Sequence, residues 1–257
     1  MNGVLPSIYL MRTQLPERPA PSGALAASIL APLDFDRFNG FRLAEDKWRL
    51  VLGHQLARYG LRKYGGVESP KISRSNRGRP YLAGQDPRSL DFNISHTATW
   101  VVCAVARNMA VGVDVVEVED LADWNTLIEH FLNESETQFL RGLPNHRRTY
   151  VAAQFWALKE AVLKAAGYGL EIDPRLIRIE IEPVPRVAVC PKEVVMRSED
   201  ICLANIEHAP GSLLTVAVLT PSRCSTGSLA IAERNFETVD LGQLLPRSIF
   251  ESTAQQN

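Results

Sequence analysis

Residues 155–170, FWALKEAVLKAAGYGL, decide how this chain folds, because they predict a helix that is apolar on almost every side. At about 100° per residue, apolar side chains cover most of its surface, and only Lys159, Glu160 and Lys164 carry charge. A helix of this kind packs between other elements of the core. A charge buried with it is costly unless it is paired or used.

The charged residues of this helix do not all point the same way. Glu160 and Lys164 are four residues apart and share a face, whereas Lys159 points about a quarter turn away. A carboxylate beside a lysine suits a cation that is bridged to phosphate oxygens. An ordinary i,i+4 salt bridge also explains the pair, so the spacing by itself leaves both interpretations open.

A second segment, VGVDVVEV at residues 111–118, predicts a strand with one buried acid. A period of two places Gly112, Asp114 and Val116 on one face. Glycine allows a ligand or another backbone to come close, and a buried carboxylate needs a cation or several donors. Asp114 with Glu160 would suit magnesium, which takes one or two protein carboxylates and completes its shell with water and phosphates. A strand-end cap or a structural ion pair is the alternative.

Hydrophobic periodicity predicts the other elements. Helices are expected over 43–64, from near Asn133 with Glu136 as its capping partner, and over 147–166 with Gly167 ending the last. Apolar and alternating runs predict strands at 7–11, 91–95, 100–106, 110–118, 176–182, 201–207 and 213–219.

Two of these strands, 100–106 and 110–118, are expected to form a hairpin through the turn at Arg107-Asn108. The runs at 100–106 and 213–219 are also similar to each other. Two related α/β halves would explain that similarity, and so would chance likeness of two core strands.

Composition narrows the class of protein. The 257 residues are 46% hydrophobic with a formal net charge of −1, which supports a real core and argues against a chain built to coat nucleic acid or an anionic membrane. The N-terminal residues lack the charged start and continuous apolar stretch of a signal peptide, and no apolar run reaches membrane length, so neither a signal peptide nor a membrane-spanning helix is expected. The four cysteines show no pairing pattern, so reduced thiols in a cytoplasmic protein are expected.

Taken in order, these motifs resemble the phosphopantetheinyl transferase superfamily. The closer likeness is to its long, pseudo-dimeric members, which activate nonribosomal peptide, polyketide and broad-range carrier proteins. The segments that carry the resemblance are Arg77–Tyr81, Phe92–His96, Gly112–Asp114, His130–Glu136, Phe155–Lys164 and Gly167–Leu170.

The resemblance implies an α+β fold of two similar α/β halves related by pseudo-twofold symmetry, each a small, mainly antiparallel sheet packed with helices. The halves would span 1–109 and 110–221, followed by a polar, loosely packed tail at 222–257. A monomer is expected.

The resemblance also implies a reaction. The 4′-phosphopantetheine group of coenzyme A would pass to a serine of an apo acyl or peptidyl carrier protein, leaving adenosine 3′,5′-bisphosphate. The partner supplies the nucleophile, so the enzyme's task is positioning and electrostatics. A basic surface at Arg141, Arg147 and Arg148 is a candidate to receive an acidic carrier protein.

By the same resemblance, Asp114 and Glu160 would bind Mg²⁺, and Glu160 would accept the serine proton. Lys164 would neutralise phosphate oxygens, and Lys159 would support the catalytic site or contact phosphate. The residues expected to contact coenzyme A are Arg42, Arg49, Arg79, Ser95, His96 and Lys164.

One departure from the family pattern affects the metal site. Many long members have Asp-x-Glu, with the glutamate as a further metal ligand, but Val116 stands there in this chain. Glu117 would face the other side of a regular strand unless a bulge re-aims it. Thr97 would reach the ion through water.

Two rival functions stay open at this point. A non-catalytic module would bind coenzyme A or a carrier protein without transferring the group. A different magnesium-dependent nucleotide enzyme would need a phosphate-cradling glycine loop, and the sequence contains no GxxxxGK[ST].

Overall fold

The computed structural model describes residues 8–86, 89–194, 200–220 and 236–246, without the side chains of 207 and 208. Ser7, Cys224 and the parts of the predicted tail at 222–235 and 247–257 lie outside these residues.

Helices and strands come in groups along the described chain. The helices are α1 (Gly23–Ile29), α2 (Pro32–Gly40), α3 (Ala44–Lys63), α4 (Trp124–Leu127), α5 (Glu134–Gly142), α6 (Asn145–Ala166) and α7 (Leu241–Leu244). The strands are β1 (Ile8–Gln14), β2 (Ile72–Arg74), β3 (Pro80–Leu82), β4 (Leu90–His96), β5 (Trp100–Arg107), β6 (Ala110–Glu117), β7 (Arg178–Glu180), β8 (Arg186–Val189), β9 (Ile201–Ala209), β10 (Ser212–Leu219) and β11 (Phe236–Thr238).

The helix signals in the sequence are confirmed. α3 and α6 occupy the predicted ranges to within two residues at either end. Asn133 and Glu136 form a reciprocal capping box at the start of α5. α6 ends at Gly167, whose φ of 79° lies in the left-handed region that glycine adopts without a Cβ penalty.

Two sheets form the body of the fold. The first sheet has the order β11-β1-β5-β4, and the second has the order β6-β10-β9. All neighbours in them are antiparallel except β1 and β11. α3 packs on the first sheet and α6 on the second, which confirms the α+β class; the pseudo-twofold symmetry and the domain boundaries stay predictions.

The predicted hairpin is wrong, although both of its strands exist. β5 lies between β1 and β4, so neither of its edges is open to β6. The chain instead leaves the first sheet at Asn108, which has a φ of 60°, and β6 pairs with β10 in the second sheet.

The apolar core has three parts. One lies around α3 and another around α6. The third lies between the two sheets, where Val102 and Ala104 of β5 join Val111 and Val113 of β6 and Val216 of β10. Odd-numbered side chains of β6 therefore face the first sheet, while even-numbered ones face α6.

The sheets also meet through a ladder of polar side chains, which we call the β4–β6 ladder. The N–H group of Val111 donates to Asp91 Oδ2 at 2.9 Å, that of Val113 to Asn93 Oδ1 at 3.0 Å, and that of Val115 to Ser95 Oγ at 3.4 Å. Side chains of β4 thus satisfy backbone donors on the edge of β6 that β10 does not reach, and an unpaired donor there would be costly.

The C-terminal part of the described chain corrects the expectation of a loosely packed tail. β11 pairs with β1, and Val239, Leu244 and Leu245 are buried in the core around α3. Glu237 accepts hydrogen bonds from Tyr59, Tyr64 and Lys63. Those hydrogen bonds join this segment to α3, so residues 236–245 belong to the body of the fold.

The expectation that every thiol is reduced is also wrong. Cys103 and Cys190 are free, but Cys202 is disulfide-bonded. The spacing of the cysteines does not predict this bond, because disulfide pairing depends on which cysteines the fold brings together.

None of the helices in the described residues has the length and apolarity needed to cross a membrane.

Candidate active site

The close contact between α6 and β6 places the charged residues of the helix beside Asp114. Gly112 makes this contact possible, since a Cβ at that position would lie 2.0 Å from the carbonyl oxygen of Ala161 and 2.4 Å from the backbone nitrogen of Ala165. No residue other than glycine fits without a shift of the helix.

Four side chains converge where α6, β6 and β4 meet. Lys164 forms an ion pair with Asp114 Oδ1 and donates to Ser95 Oγ at 3.0 Å. Ser95 in turn donates to the same Asp114 oxygen at 2.9 Å. Glu160 lies close enough for Asp114 to raise, and Lys164 to lower, its pKa. The sequence predicted all four of these residues for the site, and the structure brings them together.

Two carboxylate oxygens in this cluster, Asp114 Oδ2 and Glu160 Oε1, are buried and have no hydrogen-bond partner among the described residues. Burial raises the pKa of Glu160 above its usual value; Lys164 lowers it and Asp114 raises it further. Two carboxylates with unsatisfied oxygens are a donor set that fits Mg²⁺, whose other ligands are water and substrate phosphates. The described residues contain no group of three or more acidic, histidine or cysteine side chains that would form a complete protein cage.

The positions considered for a further metal ligand have other contacts. Val116 is 8% exposed and packs in the core around α6. β6 and β10 pair without a bulge, so Glu117 faces away from Asp114 and hydrogen-bonds to Ser212. The Thr97 hydroxyl accepts two backbone N–H groups of its own turn.

Lys159 does not reach the site, which corrects its predicted role there. Its side chain is fully buried, and its Nζ donates to Glu136 Oε2 at 2.6 Å, Phe131 O at 2.7 Å and Pro174 O at 3.1 Å. Burial lowers the pKa of Lys159, although Glu136 opposes the shift. Because three acceptors use its three donors, Lys159 ties α6 to the neighbouring segments and contacts no substrate.

A cavity of about 410 Å³, which we call the basic cavity, opens beside this cluster. Its lining residues are Arg37, Phe41, Asp46, Arg49, Leu50, Gly53, His54, Arg74, Pro80, Ile94 and His96. Arg49 and His96 were predicted to contact coenzyme A, and both are present. Arg42 is exposed and does not line the cavity.

His96 connects the basic cavity with the Asp114 cluster. Desolvation of its ring lowers its pKa, and the charges of Arg49 and Lys164 lower it further. The ring still reaches solvent. A neutral imidazole at this place offers one donor and one acceptor rather than a fixed positive charge.

Arg79, another predicted contact of coenzyme A, donates its guanidinium hydrogen bonds to other groups of the protein. Its Nη1 donates to the carbonyl oxygens of Lys164 and Ala165 at the end of α6. Its Nη2 donates to Asp91 at 2.5 Å and to the carbonyl oxygen of Val111 at 3.0 Å. Arg79 thus joins β4, β6 and the end of α6, and a role in binding the donor stays a prediction.

The three arginines expected to receive a carrier protein differ in their surroundings. Arg148 donates to the carbonyl oxygens of Leu143 and Arg141, which fixes the turn between α5 and α6. Arg147 pairs with Glu182 at 3.3 Å on the surface. Only Arg141, among these three, has an exposed side chain without an ion pair in the described residues.

Sequence reasoning missed several residues around the site. Asp91 and Asn93 belong to the β4–β6 ladder, and their signal was a polar residue at every second position of an apolar strand. Arg37 and His54 line the basic cavity, but they lie on separate helices and form no local pattern.

Comparison with known proteins places the chain in a family. Residues 110–208 match the family model described as the 4′-phosphopantetheinyl transferase superfamily. Residues 19–108 match the model described as 4′-phosphopantetheinyl transferase, N-terminal.

Individual relatives agree with this match. The chain is 31% identical to the 4′-phosphopantetheinyl transferase HetI of Nostoc sp., over 69% of this chain and 75% of the relative. It is 24% identical to the L-aminoadipate-semialdehyde dehydrogenase-phosphopantetheinyl transferase of Xenopus laevis, over 88% of this chain and 81% of the relative. A holo-(acyl-carrier-protein) synthase from Bacillus anthracis, solved in complex with CoA, overlaps 44% of this chain and 98% of its own, with 23% identity and a TM-score of 0.38.

The chain therefore belongs to the 4′-phosphopantetheinyl transferase superfamily. It is a long-type phosphopantetheinyl transferase, which confirms the class that the motifs indicated.

The close contact at Gly112 yields a first prediction. In Gly112→Ala the added methyl group displaces α6, and we expect kcat to fall about 100-fold because a shift of about 1 Å misplaces Glu160 and Lys164. The free energy of unfolding should fall by about 1–3 kcal/mol. Steady-state kinetics and denaturant unfolding measure both effects. Gly142→Ala is the matched control, since a Cβ there meets nothing within 4 Å; a kcat near that of the parent in Gly112→Ala would contradict the argument.

The pKa of Glu160 yields a second prediction. Because the pKa of Glu160 is raised in the folded state, folding favours its neutral form over its charged form. The stability that this gives is fully present below the ordinary pKa of 4.5 and is lost as the pH rises through the raised pKa. We therefore expect Glu160→Gln to have a higher Tm than the parent at neutral pH without metal, and the difference to shrink below pH 4.5.

Thermal unfolding over a pH series in the presence of a chelator measures this difference. Glu68→Gln removes the same charge at an exposed position and should show no such pH dependence. A lower Tm for Glu160→Gln than for the parent at neutral pH would show that the carboxylate stabilises the fold.

Proposed function

We propose that the chain transfers 4′-phosphopantetheine from coenzyme A to a serine hydroxyl of an apo carrier protein in a magnesium-dependent reaction, with Asp114 and Glu160 holding the ion. The observation that carries the metal assignment is the pair of buried, unpartnered oxygens, Asp114 Oδ2 and Glu160 Oε1. A buried carboxylate oxygen without a partner is costly, and a divalent cation bound to both of these oxygens would remove that cost.

Each residue of the cluster has a separate task in this proposal. Lys164 neutralises oxygens of the pyrophosphate next to the bond that breaks. Glu160 accepts the proton of the serine hydroxyl as the new O–P bond forms. Ser95 holds Lys164 and Asp114 in place. Mg²⁺, when bound, supplies charge to the pyrophosphate and polarises it.

The bond that breaks joins the phosphorus of the phosphopantetheine group to the bridging oxygen of the pyrophosphate. The leaving group is adenosine 3′,5′-bisphosphate, and its charged end has to be held while the bond breaks. The basic cavity offers Arg49 and His96 for that purpose. Arg49 is oriented by Asp46 at 2.6 Å and by the carbonyl oxygen of Thr97 at 3.0 Å.

A module that only binds coenzyme A or a carrier protein is the alternative. It would have no use for a buried carboxylate whose charge the fold leaves partly uncompensated, because such a group lowers stability. Glu160 and Asp114 together therefore favour catalysis. Acyl and peptidyl carrier proteins of fatty-acid, polyketide and nonribosomal peptide synthesis are the proposed partners, for a monomeric enzyme in the cytoplasm.

The test of transfer is mass spectrometry of several apo carrier proteins after incubation with the protein, coenzyme A and Mg²⁺. We expect at least one carrier to gain the mass of one phosphopantetheine group. Asp114→Ala should reduce the rate about 100-fold or more, because it removes a metal ligand. Asp120→Ala removes the same charge from an exposed position and should leave the rate unchanged. No gain on any carrier would favour the binding module.

The metal assignment has its own test at Val116. This residue shares the face of β6 with Asp114, so Val116→Glu places a further carboxylate beside the ion. We expect the magnesium concentration for half-maximal rate to fall about tenfold, since more carboxylate ligands raise affinity. Val116→Gln has the same size without the charge and serves as the control. An unchanged magnesium requirement in a folded Val116→Glu variant would argue that the ion binds elsewhere.

A further inference from the structure

A buried ionic cluster lies behind one wall of the basic cavity. Asp34 of α2 is 1% exposed and His54 of α3 is 2% exposed. Arg74 of β2 and Arg37 of α2 meet the same carboxylate. A carboxylate so fully buried needs compensating partners, and it has three.

The contacts of Asp34 connect three elements of the fold. Its Oδ1 accepts a hydrogen bond from Arg74 Nε, and Arg37 Nη1 lies 3.5 Å from the same oxygen. Its Oδ2 lies 3.1 Å from His54 Nε2, an ion-pair distance at an angle that does not make a hydrogen bond. Burial would raise the pKa of Asp34, but His54 and Arg74 lower it to about 2, so the carboxylate is ionised at neutral pH.

These contacts fix the two arginines while leaving donors for a ligand. Arg74 uses Nε for Asp34 and Nη1 for the carbonyl oxygen of Gly78, and its Nη2 makes no hydrogen bond within the described residues. Arg37 is 49% exposed and touches only Asp34 among the ion pairs of the described chain. A guanidinium that is already held loses less conformational freedom when an anion binds.

The charges around the cavity favour a compact anion. Arg37, Arg49 and Arg74 all line it, and the one acid on its lining, Asp46, is paired with Arg49. Coenzyme A carries a phosphate monoester on its ribose, which has nearly two negative charges at neutral pH, apart from the pyrophosphate that faces Lys164.

We propose that Asp34 is a positioning residue that holds Arg74 and Arg37 at this wall, so that they bind the ribose phosphate of coenzyme A and select it over a donor that lacks this group. The proposal rests on the transferase function. Asp34 itself touches no substrate; it acts through the two guanidinium groups.

The test compares two ligands that differ only in the 3′-phosphate, adenosine 3′,5′-bisphosphate and adenosine 5′-monophosphate, by calorimetry on the full chain. In Asp34→Asn we expect the affinity for the bisphosphate to fall about tenfold, roughly what the loss of one well-placed charged hydrogen bond would give. The affinity for the monophosphate should change less than about twofold. The KM for coenzyme A should rise about tenfold, with kcat within about threefold and the KM for dephospho-coenzyme A nearly unchanged.

Matched variants separate positioning from stability. Asp36→Asn removes the same charge from an exposed place on the same helix and should alter neither affinity. Asp34→Glu should restore part of the selectivity. If Asp34→Asn does not fold, Arg74→Gln takes its place, because it removes the ligand-facing group and leaves Asp34 beside His54.

Two results would overturn the proposal. One is an equal loss of affinity for both ligands in a folded variant, and the other is a parent protein that binds the bisphosphate no better than the monophosphate. Because both measurements are of binding, they do not depend on transfer. Absence of transfer to carrier proteins, with the binding preference intact, would count against the proposed function alone.

Discussion

Hydrogen bonds from side chains of β4 to the backbone of β6 are the interaction on which the rest of the structure depends. They take the place of a neighbouring strand at the edge of the second sheet, and they come from three buried, alternate residues of β4, Asp91, Asn93 and Ser95. The apolar layer between the sheets then closes beneath them. Since Ser95 also contacts Asp114 and Lys164, the contact that joins the sheets also sets the geometry of the active site.

The site consequently draws on both parts of the chain. β6 and α6 supply the acids and Lys164, and their separation is fixed by Gly112. α3 supplies Arg49, and β4 supplies His96. The groups proposed to bind the donor and those proposed to act on its pyrophosphate thus come from different parts of the fold, and small changes in how the two sheets pack would alter the distance between them.

Much of this arrangement can be predicted from sequence, and the limits have physical causes. Local periodicity placed Asp114, Glu160 and Lys164 on the correct faces, because a face depends only on residue spacing. Periodicity does not tell which strand β6 pairs with, since pairing depends on contacts distant in sequence. It also did not show that Lys159, one residue from Glu160, points to an internal carboxylate 23 residues away in sequence. The disulfide at Cys202 was missed for the same reason as the pairing of β6.

The return of the chain to the first sheet has a consequence for how the protein is made. β1 leaves the ribosome more than 200 residues before β11, its parallel neighbour. Chains generally begin to fold from the N-terminus during synthesis, yet here the early sheet cannot be completed until the late segment has emerged. The described strands of the second sheet all lie between residues 110 and 219, so the later part of the chain can finish first and the earlier part last.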